Sequence, residues 1–265
     1  MDILKIIDEL QKVDGDAVGR LEHASRRHFM NRMSSKLATV AAPMAFATIF
    51  NKAYAQTGPS AAAVAVLKFA LKLEYLEAAF YKAAVDSASL IPSQYKSSIA
   101  LIGKHEAQHV AYLEAVVGKM NLMFDWTYGG KLTDTHTNFK TFITVACALE
   151  DTGVRAYKGQ AGALIADPTI LQVALQVHSV EARHAAQVRR IFAVENNSAA
   201  TKGWITGKNS PIPLVQAVYD GEENLTQGGV NLKGLAGKSD EAISEAFDET
   251  LTEAQVLAIA GPFFK

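Results

Sequence analysis

The chain has 265 residues, 49% of them hydrophobic and 20% charged, enough apolar content for a substantial core in one large domain or two small ones. A net charge of −1 leaves no basic footprint for nucleic acid. The single cysteine, Cys147, excludes an internal disulfide framework and a cysteine-built zinc site, and it reads as a small buried hydrophobe on a helix.

In chain order, residues 1–56 read as an export signal and leader. Ser25-Arg26-Arg27-His28-Phe29-Met30 precedes an apolar run from about Leu37 to Phe50, and Ala53-Tyr54-Ala55 offers a small-x-small cleavage site. The paired arginines followed by Phe29 resemble a twin-arginine signal, so the expected destination is periplasmic or extracellular. The apolar run is about 14 residues, short of the ~20 that cross a bilayer. Pro43 also interrupts it, so no stable membrane span is expected after signal cleavage. Ahead of the arginines, Met1 to Ala24 reads as an amphipathic helix through Ile3, Ile6, Ile7, Leu10 and Val13.

Residues 57–195 carry four helical patterns. The first starts after Gly58-Pro59-Ser60, with Ser60 as cap, and runs to about Asp86 with Val66, Phe69, Ala70, Leu73, Leu76 and Phe80 inward. The second runs from Pro92-Ser93 to about Met120, with Ile99, Ile102, Val110, Leu113 and Val117 inward. The third spans about Thr137 to Gly162. The fourth opens at Asp167-Pro168, a cap followed by proline at the first helical position, and reaches about Val194. Each is near 26 residues, or about 39 Å at ~1.5 Å per residue, as a bundle requires.

Residues 196–265 read as a C-terminal wrap, rich in Gly and Asn as far as Lys238 and carrying Pro211 and Pro213. Two short helices are expected, near Asp240 to Glu249 and Glu253 to Ala260. Thr252 and Gln255 form a capping-box pattern for the second. Trp204, Tyr219, Phe247, Phe263 and Phe264 are candidates for packing on the bundle or for a partner surface.

Chemistry enters through a duplicated pattern. Glu106-Ala107-Gln108-His109 and Glu181-Ala182-Arg183-His184 are both Glu-x-x-His words, and each follows a lone glutamate with a tyrosine seven residues beyond it. Those pairs are Glu74 with Tyr81, and Glu150 with Tyr157. The spacing from lone glutamate to word is 32 residues in the first half and 31 in the second. All four glutamates fall near mid-height of their helices, and Glu and His three apart share a helix face. Four carboxylates and two imidazoles make a ligand set for two metal ions, and oxygen with imidazole donors suits iron or manganese. The link from Asn121 to His136 reaches ~50 Å when extended, enough to cross the bundle. One long crossover between two helical hairpins is the ferritin-like connection.

The chain is similar to the ferritin-like domain family, in its exported branch that includes desiccation-related proteins. The match is carried by Leu73-Glu74-Tyr75-Leu76-Glu77-Ala78-Ala79-Phe80-Tyr81, His105-Glu106-Ala107-Gln108-His109 and Val180-Glu181-Ala182-Arg183-His184-Ala185-Ala186, with Ala246-Phe247-Asp248-Glu249 in the tail. The resemblance implies an all-α, ferritin-like four-helix bundle with one long crossover, a C-terminal irregular tail with short helices, and a dinuclear iron site. It also implies terminal ligands Glu74 and Glu150, bridging ligands Glu106 and Glu181, and one of His109 and His184 on each ion.

The expected function is a carboxylate-bridged di-iron centre with ferroxidase or oxygen/peroxide redox activity on a small molecule. The alternatives are a dimanganese, catalase-type enzyme and a non-catalytic stress- or desiccation-related structural protein. Tyr81 and Tyr157 are expected to hydrogen-bond ligand carboxylates. Glu77 is a candidate extra carboxylate where the repeat has Gly153. His105 and His178 read as partners or surface residues. His105-Glu106-Ala107-Gln108-His109 also fits a zinc-protease word, but that leaves Glu74, Glu150, Glu181 and His184 without a role, and Val180 stands where the second copy needs histidine. A further alternative, an ordinary charged face with no metal, is disfavoured by the apolar company of Phe69, Leu73, Leu113 and Leu149, among which an uncompensated buried cluster is costly. Nothing in the sequence sets the oligomeric state.

Overall fold

The structure is a computed structural model that describes residues 58–208, 210 and 213–265. The twin-arginine pattern and the leader, residues 1–56, lie outside the described residues. Four long helices form the body: α1 (Ala61–Asp86), α2 (Lys96–Val117), α3 (Phe139–Gln160) and α4 (Pro168–Glu195). Helix α1 packs along α2, and α3 along α4, as short links between partners dictate. The segment from 118 to 138 is the long crossover between the two hairpins. The chain is therefore all-α, a ferritin-like four-helix bundle followed by an irregular tail. Among the described residues, no helix is long and apolar enough to cross a membrane.

The helix ends follow from local chemistry. Ser60 is extended, and its side chain accepts from the Ala63 amide, which caps α1. Helix α2 is entered through a 3-10 turn at Ser93–Tyr95 and ends at Val117, earlier than the expected Met120. Gly118, at φ +80°, turns the chain out of the helix there. Asn138 caps α3 through the Lys140 amide. Asp167 does not cap α4 with its side chain, contrary to the sequence expectation. Its carboxylate instead accepts from the Ser60 amide (3.1 Å) and Ser60 hydroxyl (2.5 Å). The cap residue of one helix is thus tied to the residue that opens another.

The crossover is held by aromatics. Phe80 stacks on Phe142 with ring centroids 4.8 Å apart, and Trp126 meets Phe80 edge-on at 5.8 Å. His136 joins this group and donates through Nε2 to the Phe80 carbonyl at 3.0 Å. The chain end closes on the same loop: the Asp125 amide donates to the Phe263 carbonyl (2.7 Å), and the Lys265 amide to the Met123 carbonyl (3.0 Å).

The tail contains a two-stranded hairpin, β1 (Thr226–Gln227) with β2 (Val230–Asn231), and two helices, α5 (Asp240–Ser244) and α6 (Glu253–Ala260). Helix α5 is shorter than the expected Asp240 to Glu249. Helix α6 carries the full capping box, Thr252 with Gln255. Tyr219 and Phe263 are buried, Phe264 is partly buried, and Trp204 is half exposed.

The tail explains why α3 is buried almost all round from Phe142 to Ala156, whereas α2 buries a single stripe. Arg155 is the hub. Its guanidinium pairs with Glu222 (2.7 Å) and donates to the carbonyls of Glu249 (2.9 Å), Asp220 (2.8 Å) and Val218. Glu222 in turn accepts from the Glu249 amide at 2.9 Å. Four residues on, a Cβ on Gly159 would lie 2.1 Å from the Leu251 carbonyl oxygen, so only glycine admits the tail backbone there.

Arg155→Met is expected to leave Glu222 buried without its cation, at a cost of about 3–5 kcal/mol. Limited proteolysis should then cut between 196 and 252 faster than in wild type, with bundle helicity retained by circular dichroism.

Candidate metal centre

The bundle interior holds its polar cargo at one level. Glu74, Glu106, Glu150 and Glu181 are each 0% exposed, and His184 is buried. They come from four different helices and share their faces with Phe69, Leu73, Ile102, Leu113 and Leu149. The histidines lie over the carboxylates. His109 Nδ1 is 3.1 Å from Glu74 Oε2, 3.2 Å from Glu106 Oε2 and 3.3 Å from Glu181 Oε1. His184 Nδ1 is 2.7 Å from Glu106 Oε1 and 3.4 Å from Glu150 Oε2.

Two groups of ligand atoms result, each within 4.8 Å of one another: Glu74, Glu106, His109 and Glu181, and Glu106, Glu150, Glu181 and His184. Glu106 and Glu181 belong to both groups. Shared carboxylates between two four-residue groups are what a pair of ions needs. Cys147 belongs to neither; burial pushes its thiol well above the ordinary range, so it is an inert core side chain.

The tyrosines act crosswise. Tyr81, on the helix of Glu74, donates to Glu150 Oε1 at 2.5 Å. Tyr157, on the helix of Glu150, donates to Glu74 Oε1. Each half of the repeat therefore orients the lone glutamate of the other, across the α1–α3 interface. His105 makes a further link: its Nδ1 lies 2.9 Å from His184 Nε2, with the rings stacked at 5.2 Å. His184 Nδ1 faces the carboxylates; as an imidazolium His184 donates from Nε2 to His105 Nδ1, and with Nδ1 on an ion the same bond would fix its tautomer. His178 instead meets the backbone of Val154, and His136 belongs to the crossover.

Electrostatics show what the cluster lacks. Burial pushes Glu106 up to about 7, against the hydrogen bonds of His109 and His184. Burial and then the Glu106 charge hold Glu181 well above the ordinary carboxylate range. For Glu74, burial works upward but His109 outweighs it and leaves the carboxyl below its usual value. Burial opposes charging of His184, yet Glu106 and Glu150 raise it to about 10. Burial likewise opposes His109, and the carboxylates led by Glu74 carry it far above the ordinary range. Without ions, imidazolium supplies the positive charge and some carboxyls keep protons.

The donor set fits two cations. Glu150 Oε2 and both carboxylate oxygens of Glu181 are buried without an aligned hydrogen bond, and Glu106 Oε1 meets only His184 Nδ1. Such atoms are costly unless something accepts their lone pairs.

Sequence comparison agrees with this geometry: residues 62–193 match the model of the ferritin-like domain family. The bundle is similar to a ferritin-like domain over that stretch. No curated protein and no solved structure matches the chain. In the bundle the motif residues are brought together as the repeat anticipates, while a neighbouring network was not foreseen. Asp151, beside Glu150, pairs with Arg189 of α4 (2.6 Å) and accepts from Tyr219 of the tail (2.7 Å). Asp151 and Arg189 could have been noticed as charges on otherwise apolar helix faces; Tyr219 does pack on the bundle as its aromatic character suggests, but nothing in the sequence assigns its hydroxyl to Asp151.

Tyr81→Phe and Tyr157→Phe each remove a hydrogen bond to a buried carboxylate, and each is expected to cost about 1.5–3 kcal/mol in the metal-free protein. Tyr128→Phe, which loses only a bond to the Ile259 carbonyl, should cost about 1 kcal/mol. Urea unfolding of the three variants checks the order.

Proposed function

We propose that the ferritin-like bundle binds two iron ions, with Glu106 and Glu181 bridging, Glu74 and His109 completing one ion, and Glu150 and His184 the other. The single observation that carries this reading is the membership of Glu106 and Glu181 in both ligand groups. When bound, such a pair supplies one-electron steps from each ion to dioxygen or peroxide, so the proposed activity is ferroxidase or oxygen/peroxide oxidoreductase chemistry. The protein's own part is positional. The four glutamates offer hard oxygen donors, Tyr81 and Tyr157 fix the two terminal carboxylates, and His105 holds the tautomer of His184. The apolar rows around them keep bulk water out. The twin-arginine pattern at Arg26-Arg27 and the motif resemblance support placement in the exported, desiccation-related branch, with this chemistry outside the cytoplasm.

Anaerobic loading with Fe(II) is expected to reach two ions per chain, and admission of oxygen should oxidise them. Glu106→Ala removes a ligand from both groups and should abolish pair binding and oxidation together. Oxidation in wild type no faster than in that variant rejects the activity. Metal analysis of the protein as isolated, with a peroxide-decay assay, separates iron from manganese. Two ions with no oxygen, peroxide or Fe(II) reactivity would leave the centre a structural, stress-protective one.

Binding should also release protons. His109 and His184 are held protonated above their ordinary range, and Glu106 keeps its proton up to about 7, so ions must displace them. Metal affinity is therefore expected to rise as pH increases from about 6 to 8. Calorimetry in buffers of different ionisation enthalpy reads the protons directly.

A further inference from the structure

The repeat that builds the centre breaks at Glu77 against Gly153, as well as at His105 against Val180. Counted from the lone glutamates Glu74 and Glu150, Glu77 on α1 corresponds to Gly153 on α3. The two positions meet in space. A Cβ on Gly153 would lie 3.2 Å from Glu181 Oε2 and 3.4 Å from Glu77 Oε1. The glycine leaves a gap on α3 into which carboxylates from two other helices converge.

Glu77 is 4% exposed, and among the described residues it makes no hydrogen bond or ion pair. The strongest charges acting on it are those of Glu181, Glu150, Glu106 and Glu74, all of its own sign. Burial, then these four, push its carboxyl well above the ordinary range. A buried carboxyl whose nearest charges are of its own sign destabilises a fold, and glutamine or leucine in its place would relieve that. A cation in the same space reverses the balance.

We propose that Glu77 is a fifth carboxylate ligand of the metal pair, admitted by the missing side chain at Gly153, and that it biases the centre toward a higher total charge than two divalent ions carry. The proposal rests on the dinuclear reading above. Four carboxylates balance two divalent ions; a fifth balances the additional charge of one trivalent ion. Oxygen-rich ligation of this kind favours iron or manganese over zinc. The site is then asymmetric, because α3 offers no equivalent carboxylate at Gly153.

The test compares wild type, Glu77→Gln and Gly153→Ala. Each is titrated anaerobically with Co(II) and followed by visible absorption and metal analysis; the iron-loaded forms are followed in a redox titration. Glu77→Gln should still bind two Co(II), but one about tenfold more weakly, with stronger absorption because a donor has left the coordination shell. Its iron form should favour Fe(II) about tenfold more than wild type does. The metal-free variant should melt at or above the wild-type temperature, which shows that the fold is intact. Gly153→Ala should also weaken metal binding, because its Cβ crowds both carboxylates, although alanine is the better helix former. Wild-type cobalt spectra, affinities and redox balance in Glu77→Gln overturn the fifth ligand while two-ion binding stands. Fewer than two ions in wild type overturn it together with the dinuclear reading.

Discussion

Four glutamates that are fully shielded from water, facing one another across a bundle core, make the constraint on which this molecule depends. Like charges in a low-dielectric interior repel strongly, and desolvation adds to the cost of each. Positive charge must come from somewhere. In the metal-free chain it comes from His109 and His184, whose protons are held by the same carboxylates. Cations in that space would take over the role, and the unpartnered oxygens of Glu150 and Glu181 would then acquire partners. The feature that would be a defect in an ordinary core fits a pair of cations in this one.

Holding such a cluster in place requires a rigid frame. The crosswise hydrogen bonds of Tyr81 and Tyr157 lock α1 to α3 at the level of the ligands. Each tyrosine would raise the energy of the opposite hairpin if it were lost, so the two halves of the repeat are interdependent. The Ser60–Asp167 contact does similar work at the helix ends by joining α1 to α4.

The tail adds a second layer of constraint on one helix. Helix α3 carries both Glu150 and Tyr157, and the tail covers the face that solvent would otherwise occupy. Arg155, one residue from the middle of that stretch, gathers three tail carbonyls and Glu222. Asp151, one turn before it, holds the Tyr219 hydroxyl and pairs with Arg189 of α4, whose guanidinium lies over the Tyr219 ring. A ligand helix buried on all sides cannot swing outward to relieve repulsion among the carboxylates. Rigidity here keeps the four carboxylates and two histidines together even against the carboxylates' own charge.

Much of this was legible in the linear sequence because its signals are local or periodic. Helical spacing of apolar residues marks the four long helices, and Ser60 and Thr252 declare their caps by type and position. Glu-x-x-His places two donors on one helix face whatever surrounds them, and duplication with matched spacing names all six ligand candidates. The tertiary structure decided what depends on contacts between distant segments: that each tyrosine serves the other half's glutamate, that Asp167 serves Ser60 and not its own helix, and that His105 stacks on His184. It also decided that Glu77 and Glu181 converge on the gap at Gly153. Backbone periodicity fixes which way a side chain faces from its own helix, but only the packed bundle determines which side chain from another helix it meets.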